Sequence, residues 1–204
     1  MEKMPFRESG AVIRETTIAE LAWRTEPLML AGDAITLREP RASDAPSLLA
    51  MLSSDEVARF ISPQPTTIAA FERFIATLAL EREAGRQFCF GLVPKGMEDA
   101  VGIFQVRQLE PGFATAEWTF AIGSAYWGTG IFIDSARLVI DFSFRIVGVR
   151  RLEARVAVKN GRGNGALRKL GASPEGVLRS SLSRNGEFLD QVLWALVDQE
   201  TPIH

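Results

Sequence analysis

The chain carries two hydrophobic periods, and they alternate in a regular order. Ile35-Thr36-Leu37-Arg38 switches between apolar and polar, the two-residue period of a half-buried strand, and Pro40 stops it. Ser43 and Asp44 then supply cap-type residues for a helix running to Leu52. Pro63 and Pro65 mark a loop. Thr67 caps a second helix over residues 68–84, where Phe71, Phe74, Ile75 and Leu78 recur at helical steps and Gly85 closes the pattern. Strand-like runs follow at 87–93, 100–109 and 115–122, separated by Pro94-Lys95-Gly96 and by the turn signal Pro111-Gly112.

Residues 131–146 give the clearest helix. Asp134, Arg137, Asp141 and Arg145 form one narrow charged stripe, and nearly everything between them is apolar, so this helix is expected to be buried except for one seam. Gly148 ends it, and 152–158 alternates again. A strand, a buried helix and another strand make a βαβ unit, which calls for a parallel pair in the sheet. The Gly/Asn-rich stretch 160–165 reads as a loop, 166–170 as a short helix closed by Gly171, and 177–184 with 187–197 as a hairpin around Asn185-Gly186. The order predicts seven strands and four helices. Residues 1–27 lack sustained periodicity, apart from a short helical turn at 18–23. They are expected to be an N-terminal extension, an arm against the body or against a second copy in a homodimer, ahead of a single domain over 28–200.

Composition narrows the chemistry. The chain has 204 residues, 47% of them hydrophobic, and a domain of that size buries roughly 70% of its unfolded surface. Lys and Arg number 23 against 25 Asp and Glu, which is no electrostatic footprint for nucleic acid. No apolar run has the ~18 residues of a membrane span. Met1–Gly10 has no apolar core of a secretory leader. The single cysteine, Cys89, allows no intrachain disulfide and suits a reducing, cytoplasmic compartment. The single histidine, His204, is the last residue, where no imidazole can be held between two partners. Histidine-based triads and metal sites are therefore excluded, leaving carboxylates, hydroxyls, backbone dipoles or a bound cofactor.

Trp127-Gly128-Thr129-Gly130 stands where a strand gives way to the buried helix. A glycine-rich turn there leaves open N–H groups at a helix N-terminus, which suits phosphate. It is no Walker A loop, because no Lys-Ser/Thr pair follows, and Ile133 occupies the third glycine position of a G-x-G-x-x-G pattern. The same glycines also fit a plain tight turn with positive φ, and the local sequence leaves both readings open.

Several segments, taken in order over residues 28–198, resemble the GNAT superfamily of acyl-CoA N-acyltransferases, in its branch of ribosomal-protein N-terminal acetyltransferases (RimJ/RimL-like). They are Ala116-Glu117-Trp118-Thr119-Phe120-Ala121-Ile122, Tyr126-Trp127-Gly128-Thr129-Gly130, Arg151-Leu152-Glu153-Ala154-Arg155-Val156, Asn160, Leu167-Arg168-Lys169-Leu170-Gly171 and Glu175-Gly176-Val177-Leu178-Arg179. The resemblance implies an α+β (mixed α/β) fold with a central mixed, splayed sheet. It implies acetyl-CoA as co-substrate and no metal, with the diphosphate on the amides of Trp127, Gly128, Thr129, Gly130, Ile131 and Phe132. Pantetheine would follow open backbone near Phe120 and Ile122, Asn160 would touch the cofactor or its loop, and Glu117 would take a proton from the acceptor amine. The acceptor would be a small-molecule or peptide amine, with no nucleic-acid or membrane partner. Plainer roles exist: Glu117 as a carboxylate paired with an arginine, and Asn160 as a helix cap.

Three positions depart from the branch. Phe132 stands where a small residue is usual and would either crowd the diphosphate or turn into the core. Gly163 replaces a frequent serine, and Ala172 replaces an aromatic residue. The general acid is thus unassigned, with Tyr126 and Ser135 as candidate hydroxyls. Phe132 and Gly163 support a second reading, a catalytically silent fold that binds acyl-CoA or regulates; a nucleotide-binding α/β domain is a third. Cys89, Trp23, Trp118 and Trp194 are expected to pack. Arg150, Arg151, Arg162 and Arg168 are expected on the solvated surface, within reach of CoA phosphates.

Overall fold

The computed structural model describes residues 18–61, 64–184 and 186–198. In chain order its elements are α1 (Ile18–Thr25), β1 (Met29–Ala31), β2 (Ile35–Arg38), α2 (Ala45–Leu52), α3 (Asp55–Ala58), α4 (Ile68–Glu83), β3 (Gln87–Pro94), β4 (Gly102–Gln108), β5 (Thr115–Ile122), α5 (Ile131–Phe142), β6 (Arg151–Ala157), α6 (Gly161–Lys169), β7 (Ser173–Arg184) and β8 (Glu187–Val197). The strands form one sheet in the order β1-β2-β3-β4-β5-β6-β8-β7, antiparallel throughout except for the parallel pair β5–β6. The mixed sheet expected from the sequence is present, with eight strands and six helices rather than seven and four. Of the additions, α1 is the helical turn read at 18–23, here reaching Thr25, whereas β1 and α3, of three and four residues, are too short to show a period of their own.

Side chains on the two faces of the sheet alternate into two apolar clusters. Ala116, Trp118, Ile122, Leu152, Ala154 and Val156 lie in the cluster beneath α5, together with Ala136, Val139 and Phe142 of that helix. The opposite face, carrying Cys89, Val93 and Ile103, packs against Leu48, Leu52, Phe71, Ile75 and Leu78 of α2 and α4. The predicted charged stripe of α5 holds: Arg145 pairs with Asp141 at 2.6 Å, and Arg137 approaches Asp134 at 3.8 Å. The helix is shorter than its period suggests, since after Phe142 the chain widens into a π turn over Ser143–Val147. There the Ser143 hydroxyl donates to the Val139 carbonyl and Val149 N–H donates to the Ser143 carbonyl.

The described part of the segment before Leu28 belongs to the core of the fold. Trp23 is buried, with its ring 5.7 Å from Phe88 and 5.5 Å from Phe113, both edge-on. Arg82 of α4 reaches back to donate to the carbonyls of Trp23 and Glu26.

Asp44 does not cap α2 with its side chain. It is fully buried and accepts from both guanidinium nitrogens of Arg38 (2.7 and 2.8 Å), from Arg41 N–H (2.7 Å) and from Ala100 N–H (2.9 Å). One carboxylate thus ties β2, the turn before α2 and the β3–β4 connection. Burial alone would raise its carboxyl pKa; the Arg38 bond and the two amides outweigh that and hold it below the ordinary value. Thr67 caps α4 as its spacing predicts, accepting from Ala70 N–H at 3.2 Å. The type I′ turn expected at Asn185-Gly186 falls partly outside the described residues.

Two outcomes are expected. Trp23→Ala should cost about 3–4 kcal/mol, the range for truncating a buried aromatic, read as a lower urea midpoint. Asp44→Asn should cost about 3 kcal/mol, because it leaves the Arg38 guanidinium unpaired. Since the folded carboxyl is depressed, its contribution is complete above the unfolded value of about 3.9 and is lost as pH falls through the lower folded value. The wild-type chain should therefore lose more stability than Asp44→Asn between about pH 5 and pH 2.

Candidate active site: a gap between parted strands

β5 and β6 pair over only three positions, Thr115↔Arg151, Ala116↔Leu152 and Glu117↔Glu153. Beyond them each strand keeps its other neighbour, β5 on β4 as far as Ile122↔Gly102 and β6 on β8 as far as Ala157↔Gln191. From Trp118 onward β5 therefore presents a strand edge with no partner strand.

Each side of the gap is fastened to its own half of the molecule. On the β5 side, Phe132 in the first turn of α5 stacks on Phe104 (5.3 Å) and meets Phe120 at a tilt (4.9 Å), while Trp118 lies 5.2 Å from Phe120. Phe132 thus turns into the core, which leaves the corner before α5 unblocked by its ring. On the β6 side, Asn164 Nδ2 donates to the carbonyls of Ala157 (3.0 Å) and Asn160 (2.8 Å), and its Oδ1 accepts from the Trp194 indole at 2.8 Å. This bracing extends α6 back to Gly161, so the segment read as a Gly/Asn-rich loop is its first turn.

At the head of the gap the chain turns from β5 into α5. Gly128 (φ 77°) and Gly130 (φ 89°) are in the left-handed region, and a Cβ on either would meet nothing within 4 Å. The N–H groups of residues 128–133 donate to no acceptor among the described residues, whereas Tyr126 and Trp127 N–H close the preceding turn on Gly123 and Ser124 carbonyls. Six successive open amides thus stand at the positive end of the α5 dipole, with empty space before both glycines, a cradle that fits a diphosphate.

The remaining expected contacts divide. The Ile122 carbonyl accepts from the Trp127 indole at 3.2 Å, so this oxygen is already engaged. Thr129 Oγ1 donates to the Tyr126 carbonyl at 2.8 Å. Asn160 takes its plainer role: it caps α6, its Oδ1 accepting from Gly163 N–H at 2.9 Å. The same fold of Asn160 accounts for Gly163, where a Cβ would lie 2.9 Å from Asn160 Nδ2 and from Val156 Cγ1. Arg162, from the α6 side, lies over the Trp127 ring at 4.5 Å and spans the mouth of the gap.

Glu117 is the last residue of β5 paired with β6, so its carboxylate stands at the floor of the gap, on the sheet face opposite α5. Its side chain is 8% exposed and lies between two arginines. Arg107, its cross-strand partner on β4, donates to Oε2, and Arg155 Nε approaches Oε1 at 3.4 Å. Both oxygens are engaged, so accepting a proton requires that one contact loosen, and the longer Arg155 contact is the weaker. Neither arginine was singled out from sequence, although the two-residue period places Glu153, Arg155 and Glu117 on one face once the parallel register is known.

The candidate hydroxyls are occupied or distant. Ser135 is buried and donates to the Ile131 carbonyl at 2.6 Å; Tyr126 OH lies against Met97 Sδ. Cys89 is buried on the far face, and burial pushes its thiol pKa up, which makes it an inert packing residue. Arg151 is taken by Glu153 and Glu175, and Arg168 lies 5.7 Å over the Trp194 ring. Among the described residues no group of His, Cys, Asp and Glu gathers as a metal site, and no helix is long and apolar enough to cross a membrane.

Known proteins are similar to this chain in sequence and in fold. The family pattern described as an acetyltransferase (GNAT) domain matches residues 34–173. An uncharacterized N-acetyltransferase, p20 of Bacillus licheniformis, is 26% identical over 172 residues, which cover 82% of this chain and 95% of p20. The ribosomal-protein-S5-alanine acetyltransferase of Vibrio fischeri superposes with a TM-score of 0.77 at 19% identity, over 86% of this chain and all of that one. Mycobacterium smegmatis RimJ, solved with CoA-disulfide, superposes with a TM-score of 0.73 at 22% identity, over 87% of this chain and 88% of RimJ. With a matching domain over most of its length and a sheet that parts between β5 and β6, the chain belongs to the GNAT family of N-acetyltransferases.

Proposed function

We propose that the chain transfers an acetyl group from acetyl-CoA to a primary amine by direct attack. One observation carries the reading: the six open amides of residues 128–133 lie at the head of the same gap whose floor holds Glu117. The amides of Gly128, Thr129, Gly130, Ile131 and Phe132 would hold the diphosphate. Arg162 could leave the Trp127 ring to face its charge. The unpaired edge of β5 around Phe120 would pair with the pantetheine amides, as a strand edge accepts an extended ligand. Asn160 retains Nδ2 for the cofactor, its Oδ1 being used in the cap. RimJ of M. smegmatis was solved with a CoA derivative, and that ligand class fits this gap.

Bound acetyl-CoA supplies an activated thioester carbonyl. The chain's part is to align it, admit the amine from the face where Glu117 points, and take up the proton that the amine nitrogen sheds as its bond to carbon forms and the C–S bond breaks. Glu117 can do this directly or through a water once the Arg155 contact opens.

The occupied hydroxyls of Ser135 and Thr129 favour a second reading, a fold that binds acyl-CoA without turning it over. CoA should raise the melting temperature under both readings. Thiol release from acetyl-CoA in the presence of amines should occur only under the first, and its absence across peptides and small amines would favour the second.

Glu117→Gln should lower turnover about a hundredfold or more, the scale of losing a general base, with a much smaller change in CoA affinity by calorimetry. Unaltered turnover would remove Glu117 from the reaction. Gly130→Val should weaken CoA binding by at least about tenfold, or 1.4 kcal/mol, because the new side chain fills the space before the amides in a backbone region that β-branched residues avoid. Intact affinity would mean that the diphosphate lies elsewhere.

A further inference from the structure

A cavity of about 200 Å³ lies beside the gap, on the face toward which Glu117 points, and is lined by Arg59, Phe60, Lys159, Arg184, Glu187 and Leu189. Its walls come from both halves of the molecule. Arg59 and Phe60 follow α3, and the next residue, Ile61, packs against the same apolar cluster as Ala121 of β5 and Trp127. Lys159 lies two residues past the end of β6, and Arg184, Glu187 and Leu189 belong to the β7–β8 hairpin. The cavity therefore bridges the two sides of the gap where α5 and the diphosphate cradle do not reach.

Its charge is unusual for this chain. Arg38, Arg86, Arg107, Arg145 and Arg151 each stand against a carboxylate. Arg59, Lys159 and Arg184 make no ion pair with any described residue, and the cavity's one carboxylate, Glu187, makes none either. Positive charge thus exceeds negative here, in a chain whose formal net charge is −2. Two of the three cations are held by contacts that leave the charge unneutralised. Arg184 Nε donates to the Ala58 carbonyl at 2.9 Å, leaving its terminal nitrogens for another acceptor, and the Arg59 guanidinium lies 5.2 Å over the Phe60 ring. A fork of guanidinium donors with an ammonium beside it is matched by a carboxylate.

We infer that this cavity is the acceptor subsite and that it selects amines whose molecule carries a carboxylate close to the amino group. The inference rests on the acetyltransferase reading for the identity of the amine, and on the cavity alone for the acid. Phe60 and Leu189 give the subsite an apolar wall against which a short side-chain stem lies while its carboxylate meets Arg184 and Lys159.

The test uses the full chain with acetyl-CoA and pairs of C-terminally amidated short peptides that differ only in glutamate, glutamine or lysine at the second position, alongside the α-amides of glutamate and glutamine as single amino acids. A kcat/KM about fivefold to tenfold higher for the acidic member of a pair is expected, the sum of a few partly exposed ion pairs. Preference among the peptides alone would mark a protein N-terminus as the source of the acid, and among the single amino acids alone a small molecule. Lys159→Gln and Arg184→Gln should each bring the ratio toward one. The Lys159 side chain makes no hydrogen bond with any described residue, so its variant reports on charge even if Arg184→Gln loosens the hairpin. Equal or better use of the glutamine or lysine members overturns the inference and leaves the acetyltransferase reading standing. If no amine is acetylated, fluorescent versions of the same peptides are titrated into the CoA-loaded chain. Binding of the acidic one only, weakened in Lys159→Gln, supports the subsite while the acetyltransferase reading fails. Absence of selective binding overturns both.

Discussion

The short parallel ladder between β5 and β6 is the constraint on which the rest of this structure depends. A sheet gains stability from each backbone pair it closes, and an unpaired edge needs water or a ligand to satisfy its polar groups. Here pairing stops at Glu117↔Glu153 because the two strands are fixed to different bodies. The aromatic stack of Phe104, Phe120 and Phe132 binds α5 to β4 and β5. The amide of Asn164, shared among two backbone carbonyls and the Trp194 indole, binds α6 to β6 and β8. Neither clamp lets its strand swing across, so the gap is a fixed property of the packing. The head of α5 stands at one end of the gap and a carboxylate at the other.

Two acidic side chains show how differently a fold can use the same group. Asp44 is closed off on every side by Arg38 and two amides, and its charge serves only to join three segments. Glu117 is nearly as buried, but its partners Arg107 and Arg155 are long, half-exposed side chains that reach it from the solvent side. That arrangement ties Glu117 to side chains that reach solvent, where Asp44 is tied to two backbone amides and a largely buried guanidinium. It also puts a row of alternating charge on the sheet face opposite α5, the face that continues toward the cations of the neighbouring cavity.

Phe132 and Gly163, the two departures that most favoured an inactive fold, have structural accounts that leave the gap open. The Phe132 ring is spent on the α5 clamp. Gly163 makes room for the Asn160 side chain, which caps α6. The hydroxyl that a serine at position 163 would offer is missing, and the described hydroxyls nearby, on Thr129 and Ser135, donate to backbone carbonyls.

Elements with an unbroken period were legible in the sequence. The stripe of Asp134, Arg137, Asp141 and Arg145 marked one face of α5, Thr67 marked the start of α4, and the glycines at 128 and 130 marked a strand-to-helix corner, because each signal is local and repeats over enough residues to exclude other conformations. The family was legible too, since its motifs are short segments in fixed order. β1 and α3 escaped notice because three or four residues are held by tertiary contacts rather than by their own pattern. The start of α6 was hidden because glycines and asparagines favour loops until a cap and a brace are supplied from within the fold. The arginines around Glu117, the engaged Ile122 carbonyl and the cation-lined cavity bring together residues as far apart in the chain as Arg59 and Leu189. Spacing along a sequence carries periodicity and propensity, but which side chains meet across a gap is set by strand register and by which half of the molecule each strand is fastened to, and only the folded chain fixes those.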